Sequence, residues 1–317
     1  MMEKVRAPRN RTLILTKDEQ KNYKSRVLYP ENRFLSVSEI INKTICCDLY
    51  TILGNLPHSF VDLLVLDPPY NLDKEFNGFK FSKTSDDDYL GYLRSWFPQV
   101  LNTLKPTGSV YICGDWNNTF CLYQIMREHT IIRNRIVWQR EKGRGAKRNW
   151  KNASEDIWFG TKSDDYYFDV EAVKQKRKVI APYRENGKPK DWEETDEGNF
   201  RLTYPSNIWD DMTIPYWSMP ENTDHPTQKP EKLIAKLILA SSPPQGIVLD
   251  PFLGSGTTSV VAKKLNRNYV GIEFNEQYCC WAEKRLDNAE SDKIIQGYSD
   301  NVFWERNTFI ASTRPNF

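Results

Sequence analysis

The sequence lacks several features that define common protein classes. It has no run of about 18 apolar residues, which excludes the usual membrane-spanning helix, and no secretory signal pattern at its start. We therefore expect a cytoplasmic protein with no membrane partner. Histidine is rare, with 3 residues among 317, and none of the 6 cysteines forms a Cys-x-x-Cys pair. We expect no metal site, and we expect the cysteines to be reduced core residues.

A strong excess of charge of either sign is also missing, since 44 Lys and Arg face 42 Asp and Glu. With such a balance, a nucleic-acid surface has to come from local clusters of cations. Residues 140–190 are such a cluster, with 14 Lys and Arg against 8 Asp and Glu. This segment suits a phosphate backbone, although a solvated charged loop is the alternative. The candidate DNA-binding residues are Arg140, Lys142, Arg144, Lys147, Arg148, Lys151, Lys174, Lys176, Arg177 and Lys178.

The length of the chain and its 39% hydrophobic side chains suit one large α/β domain, alone or with a small lobe. The first 36 residues are different, because they are basic and polar with little periodicity. We expect residues 1–36 to form a solvated basic arm. An arm that touches DNA phosphates or a partner subunit is the alternative.

The most informative stretch is Val61–Asn71, which begins as a buried strand. Leu63–Leu66 is a continuous apolar run that is too short for a helix. Pro68 and Pro69 cannot continue a sheet, because proline has a fixed φ and no N–H. Asp67 therefore lies at the carboxyl end of a strand, where open α/β sheets bind ligands. An ordinary Asp-Pro turn is the alternative interpretation.

This turn carries groups that suit a planar ring with an exocyclic amino group. The Asp67 carboxylate and the Pro68 carbonyl are hydrogen-bond acceptors, and Tyr70 is a flat aromatic. The amino nitrogen of a nucleobase is a poor nucleophile, because its lone pair is delocalised into the ring. Two acceptors on its hydrogens would localise that lone pair while the flipped base stacks on Tyr70.

A second informative stretch, residues 246–274, predicts half of a nucleotide-binding sheet. A strand at Gly246–Asp250 leads into a loop that contains Gly254 and Gly256. A helix follows, and then a strand that ends near Glu273, 23 residues after the first strand. That is about the spacing at which an acid meets ribose hydroxyls. The third glycine of the dinucleotide fingerprint and the Gly-Lys-Ser/Thr of triphosphate loops are missing, which excludes those two ligand classes.

Hydrophobic periodicity predicts further elements around these stretches. The predicted helices are Leu49–Leu56, Tyr89–Leu104, Asn117–Glu128, Glu231–Ser241, Thr258–Leu265 and Asn275–Asn288. Lys-Pro-Thr-Gly at 105–108 indicates the end of the second helix. The further predicted strands are Thr44–Cys47, Ser109–Gly114, Ile131–Gln139, Glu155–Gly160 and Asn268–Phe274. Strands that alternate with helices predict an α/β fold with a doubly wound, mostly parallel sheet.

Three segments together resemble the S-adenosylmethionine-dependent DNA amino-methyltransferases of type II restriction-modification systems. Asp-Pro-Pro-Tyr at 67–70 resembles the catalytic motif of that family, and Asp-Pro-Phe-Leu-Gly-Ser-Gly-Thr at 250–257 resembles its cofactor loop. His-Pro-Thr-Gln-Lys-Pro at 225–230 is similar to the segment that lines its cofactor pocket. The order, with the catalytic motif first and the cofactor loop last, is typical of the permuted beta class.

The resemblance implies a Rossmann-like methyltransferase fold, circularly permuted, with an inserted target-recognition region. It places the catalytic half at 37–161, the target-recognition region at 162–222, the cofactor-binding half at 223–290 and a tail at 291–317. The catalytic residues that it implies are Asp67, Pro68, Pro69 and Tyr70. It implies that S-adenosylmethionine is bound by Asp48, Leu49, Asp67, Lys229, Asp250, Phe252, Gly254, Ser255, Gly256, Thr257, Glu273 and Phe274.

In this family, Asp at the first position of the catalytic motif is favoured by adenine-N6 enzymes and Ser by cytosine-N4 enzymes. The resemblance therefore implies a site-specific, adenine-specific DNA methyltransferase, with cytosine-N4 transfer as the nearer alternative. A non-catalytic DNA-binding protein, and a methyltransferase of RNA or of protein glutamine, are more distant alternatives. No cysteine follows a proline, which argues against carbon-5 cytosine chemistry.

The resemblance also implies partners. DNA is the expected substrate, and we expect a homodimer. A cognate restriction endonuclease acting on the same site is a further expected partner. The expected location is the reducing cytoplasm of a bacterial or phage-infected cell.

Overall fold

The computed structural model describes residues 7–76, 79–140, 148–180, 182–196 and 198–305, with the backbone alone for 74–76 and 79–81. Its helices are α1 (Lys17–Lys24), α2 (Val37–Ile40), α3 (Leu49–Ile52), α4 (Asp86–Leu101), α5 (Thr119–His129), α6 (Glu231–Ser241), α7 (Thr257–Lys264) and α8 (Glu276–Ser291). Short 3-10 turns lie at Leu53–Asn55, Trp116–Asn118 and Glu171–Val173. None of the helices described is both long and apolar enough to cross a membrane.

The strands in the described part of the chain include several of only two or three residues. They are β1 (Lys43–Cys46), β2 (Val61–Leu66), β3 (Lys74–Phe76), β4 (Phe79–Phe81), β5 (Leu104–Asp115), β6 (Ile131–Gln139), β7 (Ser154–Thr161), β8 (Gln175–Lys178), β9 (Arg184–Glu185), β10 (Lys188–Pro189), β11 (Glu193–Thr195), β12 (Gly198–Thr203), β13 (Ile208–Trp209), β14 (Ile247–Asp250), β15 (Asn268–Glu273), β16 (Tyr298–Ser299) and β17 (Val302–Trp304).

Eight of these strands form the main sheet, in the order β1-β15-β14-β2-β5-β7-β6-β13. Neighbouring strands are parallel except for β5 with β7 and β7 with β6. After the edge strand β1, the chain forms the half of the sheet from β2 to β13, and much later it adds β14 and β15 between β2 and β1. The predicted doubly wound, mostly parallel α/β sheet is therefore confirmed, with its switch point between β2 and β14.

Helices cover both faces of this sheet because its central strands are apolar on both sides. Leu64 and Leu66 of β2 pack with α3, α4 and α5, whereas Leu63 and Val65 pack with α6, α7 and α8. Each of these four side chains is at most 1% exposed. Successive residues of a strand point to opposite faces, so a strand buried on both faces requires an uninterrupted apolar run.

The predicted helices and strands of the main sheet are all found, with bounds that differ by a few residues. Glu231–Ser241 is helical over the whole predicted range and begins directly after Pro230. The predicted helix Leu49–Leu56 is shorter than expected, because regular α-helix ends at Ile52 and continues as a 3-10 turn.

The largest difference lies where a helix end was predicted at 105–108. β5 already begins at Leu104 and includes these residues. The register between β2 and β5 shifts between Val61 and Leu63. Residues 105–108 have no register partner in β2, so Pro106, which lacks an N–H, lies in this irregularity and not in the regular ladder.

The N-terminal segment differs from the solvated arm that its composition predicted. α1 packs against α8, and Tyr23 is only 8% exposed, with its hydroxyl 3.1 Å from Asp287 Oδ2. Leu13 and Val27 are also buried, while residues 1–6 lie outside the described part. A few apolar side chains suffice to bury one side of a charged segment, and average composition does not reveal them.

A second sheet has five strands, in the order β11-β12-β8-β17-β16. It joins part of the predicted target-recognition region, 162–222, to strands near the end of the chain. β17 pairs in parallel with β8, with Phe303 opposite Gln175. The described part of the predicted tail, 291–305, is therefore not separate, because β17 covers backbone groups of β8 that would otherwise be unpaired.

Replacing Tyr23 with Ala tests whether the N-terminal segment is structural. The change removes a buried ring and the hydrogen bond to Asp287, so it should lower the free energy of unfolding by about 2–4 kcal/mol. Lys21→Ala, at an exposed position of the same helix, is the control and should change it by less than about 0.5 kcal/mol. Urea unfolding followed by circular dichroism measures both. Equally small changes in the two variants would show that the segment is solvated.

Candidate active site

The carboxyl ends of β2 and β14 lie side by side, since Leu64 pairs with Leu249. Asp67 follows β2 and Asp250 ends β14, so the two predicted motifs meet at the switch point of the sheet. A cavity of about 360 Å³, which we call the large cavity, opens at this edge. Among the predicted site residues, those that line it are Asp48, Leu49, Asp67, Pro68, Pro69, Tyr70, Phe252, Gly254, Glu273 and Phe274.

A smaller space of about 30 Å³ has Asp67, Phe252 and Gly254 in common with the large cavity. The other predicted cofactor residues that line this space are Lys229, Asp250, Ser255 and Thr257. Two stretches that are far apart in the sequence are therefore brought to one place by the pairing of β2 with β14.

Asp67 is held by two donors from the protein. Its Oδ1 accepts a hydrogen bond from the Tyr70 hydroxyl at 3.0 Å, and its Oδ2 lies 2.7 Å from Lys229 Nζ. The turn is fixed further by the Tyr89 hydroxyl, which donates to the Pro69 carbonyl at 3.1 Å. Each carboxylate oxygen has a second lone pair, so Asp67 can still accept hydrogen bonds from a ligand in the large cavity.

Asp67 belongs to a group of four charges that alternate in sign. Lys229 Nζ lies 3.5 Å from Glu155 Oε2, and the other oxygen of Glu155 accepts a hydrogen bond from Arg140. Glu155 is 1% exposed, Lys229 7% and Arg140 8%. A single buried charge is strongly unfavourable, so the two cations and the two carboxylates compensate one another. We call Asp67, Lys229, Glu155 and Arg140 the charge group.

The position of Arg140 differs from the exposed basic face that the sequence predicted. Its side chain is buried against Glu155, because Gln139 at the end of β6 pairs with Ser154 at the start of the antiparallel strand β7. Glu155 was not among the predicted site residues. An acid at the start of a predicted strand was its one sequence signal, and strand pairing decided its neighbours.

Tyr70 has a hydroxyl that bonds Asp67 and also lines the large cavity. Burial, and next the Asp67 carboxylate, raise the pKa of Tyr70 well above its usual value, so the hydroxyl stays protonated and donates. Glu155 Oε2 is a second acceptor, 3.2 Å from that hydroxyl. Lys229 Nζ lies 5.4 Å from the ring centroid, within the range of a cation–π contact. Stacking of a base on this ring remains a prediction.

The loop between β14 and α7 requires glycine at two positions. Gly254 and Gly256 have φ angles of +56° and +88°, which residues with a Cβ rarely adopt. A Cβ on Gly256 would also lie 2.5 Å from the Cβ of Ala282 in α8, and one on Gly254 would lie 3.0 Å from Nε2 of His225. Gly256 therefore serves helix packing, whereas Gly254 keeps the wall of the large cavity open.

Glu273 ends β15 with its carboxylate beside the large cavity. Its Oε2 accepts from the Gly254 N–H at 2.8 Å, and its Oε1 accepts from the Asn275 N–H at 2.9 Å. Burial raises the pKa of Glu273 to about 7, against the lowering effect of these backbone hydrogen bonds. Burial likewise raises the pKa of Asp250 to about 7. Both carboxyl groups therefore change charge near physiological pH.

Ser255 and Thr257 differ from the other cofactor candidates because protein groups engage them. Arg285 Nη1 donates to the Ser255 carbonyl and to the Thr257 hydroxyl, each at 2.9 Å. Arg285 is itself paired with Glu231 of α6 at 3.0 Å. These buried contacts position the loop, and a direct contact of either hydroxyl with a ligand remains a prediction.

Aromatic side chains that the sequence analysis did not single out form part of the cavity wall. They are Tyr92 and Trp96 of α4, together with Tyr278. His225, which also lines the cavity, belongs to the segment 225–230 that the sequence analysis had singled out. Trp96 meets Phe252 edge to face, with ring centroids 4.8 Å apart. The four-residue spacing of the α4 pair indicated a common helix face, but not the cavity that this face would line.

The predicted DNA-binding residues that the structure describes lie in different elements of the chain. Arg148 and Lys151 are exposed, whereas Lys142, Arg144 and Lys147 lie outside the described residues.

The remaining four candidates are in or next to β8. Lys176 and Lys178 point to one face of that strand and Arg177 to the other, as the alternation of a strand requires. Arg177 lies 3.7 Å from Glu305, and Lys174 lies 2.6 Å from a carboxylate oxygen of Glu171. A role of these cations in binding DNA stays a prediction.

With this geometry in place, comparison with known proteins identifies the family. Residues 61–284 match the N6/N4 methyltransferase family model, whose description is DNA methylase. The chain belongs to this DNA methylase family.

Two relatives illustrate the similarity within the DNA methylase family. The chain is 33% identical over 254 residues to the type II methyltransferase M.HpaI of Haemophilus parainfluenzae, across 78% of this chain and 74% of that protein. It is 35% identical over 249 residues to the DNA adenine methyltransferase YhdJ of Escherichia coli K12, across 76% of this chain and 81% of that protein.

Solved structures show the same fold. The crystal structure of the M1.HpyAVI–SAM complex matches with a TM-score of 0.53 and 24% identity, across 77% of this chain and 98% of that one. The cytosine-N4-specific PvuII DNA methyltransferase matches with a TM-score of 0.57 and 17% identity, across 79% of this chain and 92% of that one.

Replacing Lys229 with Met tests the charge group. The change leaves the Asp67 and Glu155 carboxylates without their shared cation, so it should lower the free energy of unfolding by about 3–5 kcal/mol. Lys190→Met is the control, because Lys190 pairs with Glu185 at 3.5 Å on the exposed surface, and it should cost less than about 1 kcal/mol. Guanidinium unfolding measures both. A Lys229→Met protein as stable as the control would contradict mutual compensation of the buried charges.

Proposed function

We propose that this DNA methylase is site-specific and transfers a methyl group from S-adenosylmethionine to the N6 amino group of adenine. The observation that carries the proposal is the convergence of Asp67 and Glu273 on the large cavity. The first residue provides acceptors for an amino group, and the second provides acceptors for hydroxyl groups. One cavity can then hold the donor and the acceptor of a methyl group side by side, which is the main requirement of a direct transfer.

The residues around Glu273 suit S-adenosylmethionine. Each oxygen of the Glu273 carboxylate accepts one backbone N–H, so each keeps a lone pair that can accept a ribose hydroxyl. Phe274 exposes 43% of its surface beside it, and Asp48 lines the same cavity. The apolar ring of Phe274 suits the face of a purine, and the Asp48 carboxylate suits its exocyclic amino group. When bound, S-adenosylmethionine supplies an electrophilic methyl group on a positively charged sulfur.

The chain's own residues then prepare the nucleophile. Asp67 and the Pro68 carbonyl accept hydrogen bonds from the amino group of the target base, which localises the nitrogen lone pair. Lys229 and the Tyr70 hydroxyl fix the Asp67 carboxylate from the side, so that it does not reorganise during the reaction. The target base leaves the duplex to reach this position. No covalent bond between protein and base is needed.

We propose adenine over cytosine as the target base because of the residue at position 67. Position 67 is Asp, as adenine-N6 enzymes favour, rather than Ser. The relative YhdJ is named an adenine methyltransferase. Cytosine-N4 transfer is the second candidate, because the cytosine-N4-specific PvuII enzyme has the same fold.

DNA recognition in this proposal uses the part of the chain between the two motifs. Residues 162–222 are the proposed target-recognition region, between a catalytic half at 37–161 and a cofactor half at 223–290. The exposed cations Arg148 and Lys151 are proposed to contact phosphates. A homodimer, and a restriction endonuclease acting on the same sequence, are further parts of the proposal.

The test of reaction class is transfer to unmethylated duplex DNA, followed by mass spectrometry of the released nucleosides. We expect N6-methyladenine from the wild-type protein. Asp67→Ala should reduce the rate of methyl transfer by at least about 100-fold, because it removes both oxygens of the preorganised carboxylate. Calorimetric titration with S-adenosylmethionine should show that this variant still binds the cofactor.

Asp87→Ala is the matched control, since it removes an exposed carboxylate at the start of α4. It should transfer as the wild type does. N4-methylcytosine as product would move the assignment to the second candidate. Full activity of Asp67→Ala would end the proposed mechanism.

The pKa of Glu273, raised to about 7 by burial, predicts a pH dependence of cofactor binding. The charged carboxylate accepts ribose hydroxyls, and it is the form present above pH 7. Affinity for S-adenosylmethionine should therefore fall about tenfold from pH 8 to pH 6, as the charged fraction falls. Isothermal titration calorimetry measures this change.

Glu273→Gln is the control for that pH dependence. It should bind S-adenosylmethionine more weakly at pH 8 and show a flat profile, because its side chain does not titrate. The same tenfold decrease in Glu273→Gln would assign the titration to another group, such as Asp250, and would contradict the role given to Glu273.

A further inference from the structure

Trp150 is a large apolar side chain left almost wholly in water. It is 97% exposed, whereas Trp96, Trp138, Trp192, Trp209 and Trp304 are at most 7% exposed. Trp is highly buried on average, but single exposed apolar side chains are common, so the exposure of Trp150 has meaning only together with its position and its neighbours. The fold gives no reason for Trp150, since its ring is not part of either core cluster.

The chain just after Trp150 is tied to the active-site edge of the main sheet. Asn152 Nδ2 donates to Asp115 Oδ2 at 3.1 Å, and the Ala153 carbonyl accepts from the Arg140 N–H at 2.5 Å. Glu155, three residues after Asn152, lies 3.2 Å from the Tyr70 hydroxyl. Five residues span at most about 18 Å, so the Trp150 backbone is within that distance of Glu155.

Asp115 ties a second exposed aromatic segment to the same place. Its Oδ1 accepts from the Asn117 N–H at 3.0 Å, which caps the short turn that follows β5. Trp116 in that turn is 53% exposed, and Phe120 just after it is 64% exposed. The buried Asp115 carboxylate therefore ties together two segments that carry exposed aromatic side chains, at the edge of the sheet where Asp67 lies.

The residues around Trp150 indicate the chemistry of the partner that its ring would contact. Arg148 and Lys151 are exposed on either side of it along the chain. An aromatic ring between cations is the pattern of side chains that enter a base stack while the flanking charges contact phosphates. A negatively charged polymer of stacked rings satisfies both features, which an apolar protein surface does not.

We propose that the Trp150 indole inserts into the DNA base stack at the position vacated by the target base. This inference rests on the proposed function, because it requires a base that leaves the duplex. Stacking of the indole on the neighbouring base pairs replaces part of the stacking lost by the flipped base. Trp150 is thus a positioning residue, which favours the open duplex without touching the reacting atoms.

The test uses full-length protein and two duplexes that carry the sequence found to be methylated. One duplex is fully paired, and in the other the target base is mispaired. Trp150→Ala should lower kcat/KM on the paired duplex roughly 5- to 100-fold, the loss expected for one stacked base. On the mispaired duplex the loss should shrink to less than about threefold, because unpairing is already achieved. Trp150→Phe should restore most of the activity on the paired duplex.

Phe34→Ala is the matched control. Phe34 is 62% exposed and lies in the N-terminal segment, where the Leu35 N–H donates to the Asn55 carbonyl at 2.9 Å. This variant should equal the wild type on both duplexes. A fluorescent base analogue at the target position should brighten less with Trp150→Ala than with the wild type, since it unstacks less.

Unchanged kcat/KM of Trp150→Ala on the paired duplex would overturn the inference. An equal loss on both duplexes would also overturn it, because that result indicates a general contact rather than opening of the stack. A wild-type protein that methylates no DNA would instead refute the proposed function itself, so the two failures are distinguishable.

Discussion

The parallel pairing of β2 with β14 is the contact on which the site depends. Leu63 lies opposite Val248, and the Asp62 carboxylate accepts from the Ile247 N–H at 2.8 Å, so the register is fixed by both backbone and side chain. This pairing brings strand ends from distant parts of the chain to one edge of the sheet. The chain then winds away from the two strands in opposite directions, and the space left between the following loops becomes the large cavity.

The charge group shows how the fold fixes a carboxylate that must stay available to a ligand. Lys229 comes from the cofactor side of the chain and Glu155 from β7, and both meet the turn that carries Asp67. Burial removes Lys229, Glu155 and Arg140 from water, so each depends on its neighbours in the charge group, and together they set the geometry of the partly exposed Asp67. A carboxylate that is already held in place needs little reorganisation free energy when charge develops beside it. Electrostatic catalysis requires this condition.

Segments near the two ends of the described chain complete structures formed by residues far from them in the sequence. Leu28 forms a bridge with Ile45 of β1, so the N-terminal segment continues the main sheet beyond its first strand. β17, close to the end of the described chain, supplies a parallel neighbour for β8 in the second sheet. In both cases a strand edge with unpaired backbone groups is covered, which accounts for segments that look like polar tails in the sequence.

Local sequence pattern was sufficient to predict the buried strands, most helices and the motifs at 67–70 and 250–257. Apolar runs such as Leu63–Leu66, and helical periodicity such as that of Glu231–Ser241, depend on residues a few positions apart. The burial of Arg140, the presence of Glu155 in the site and the contact of Lys229 with Asp67 were decided by the tertiary structure. Each of those contacts joins different elements, and only strand register and strand order bring such residues together.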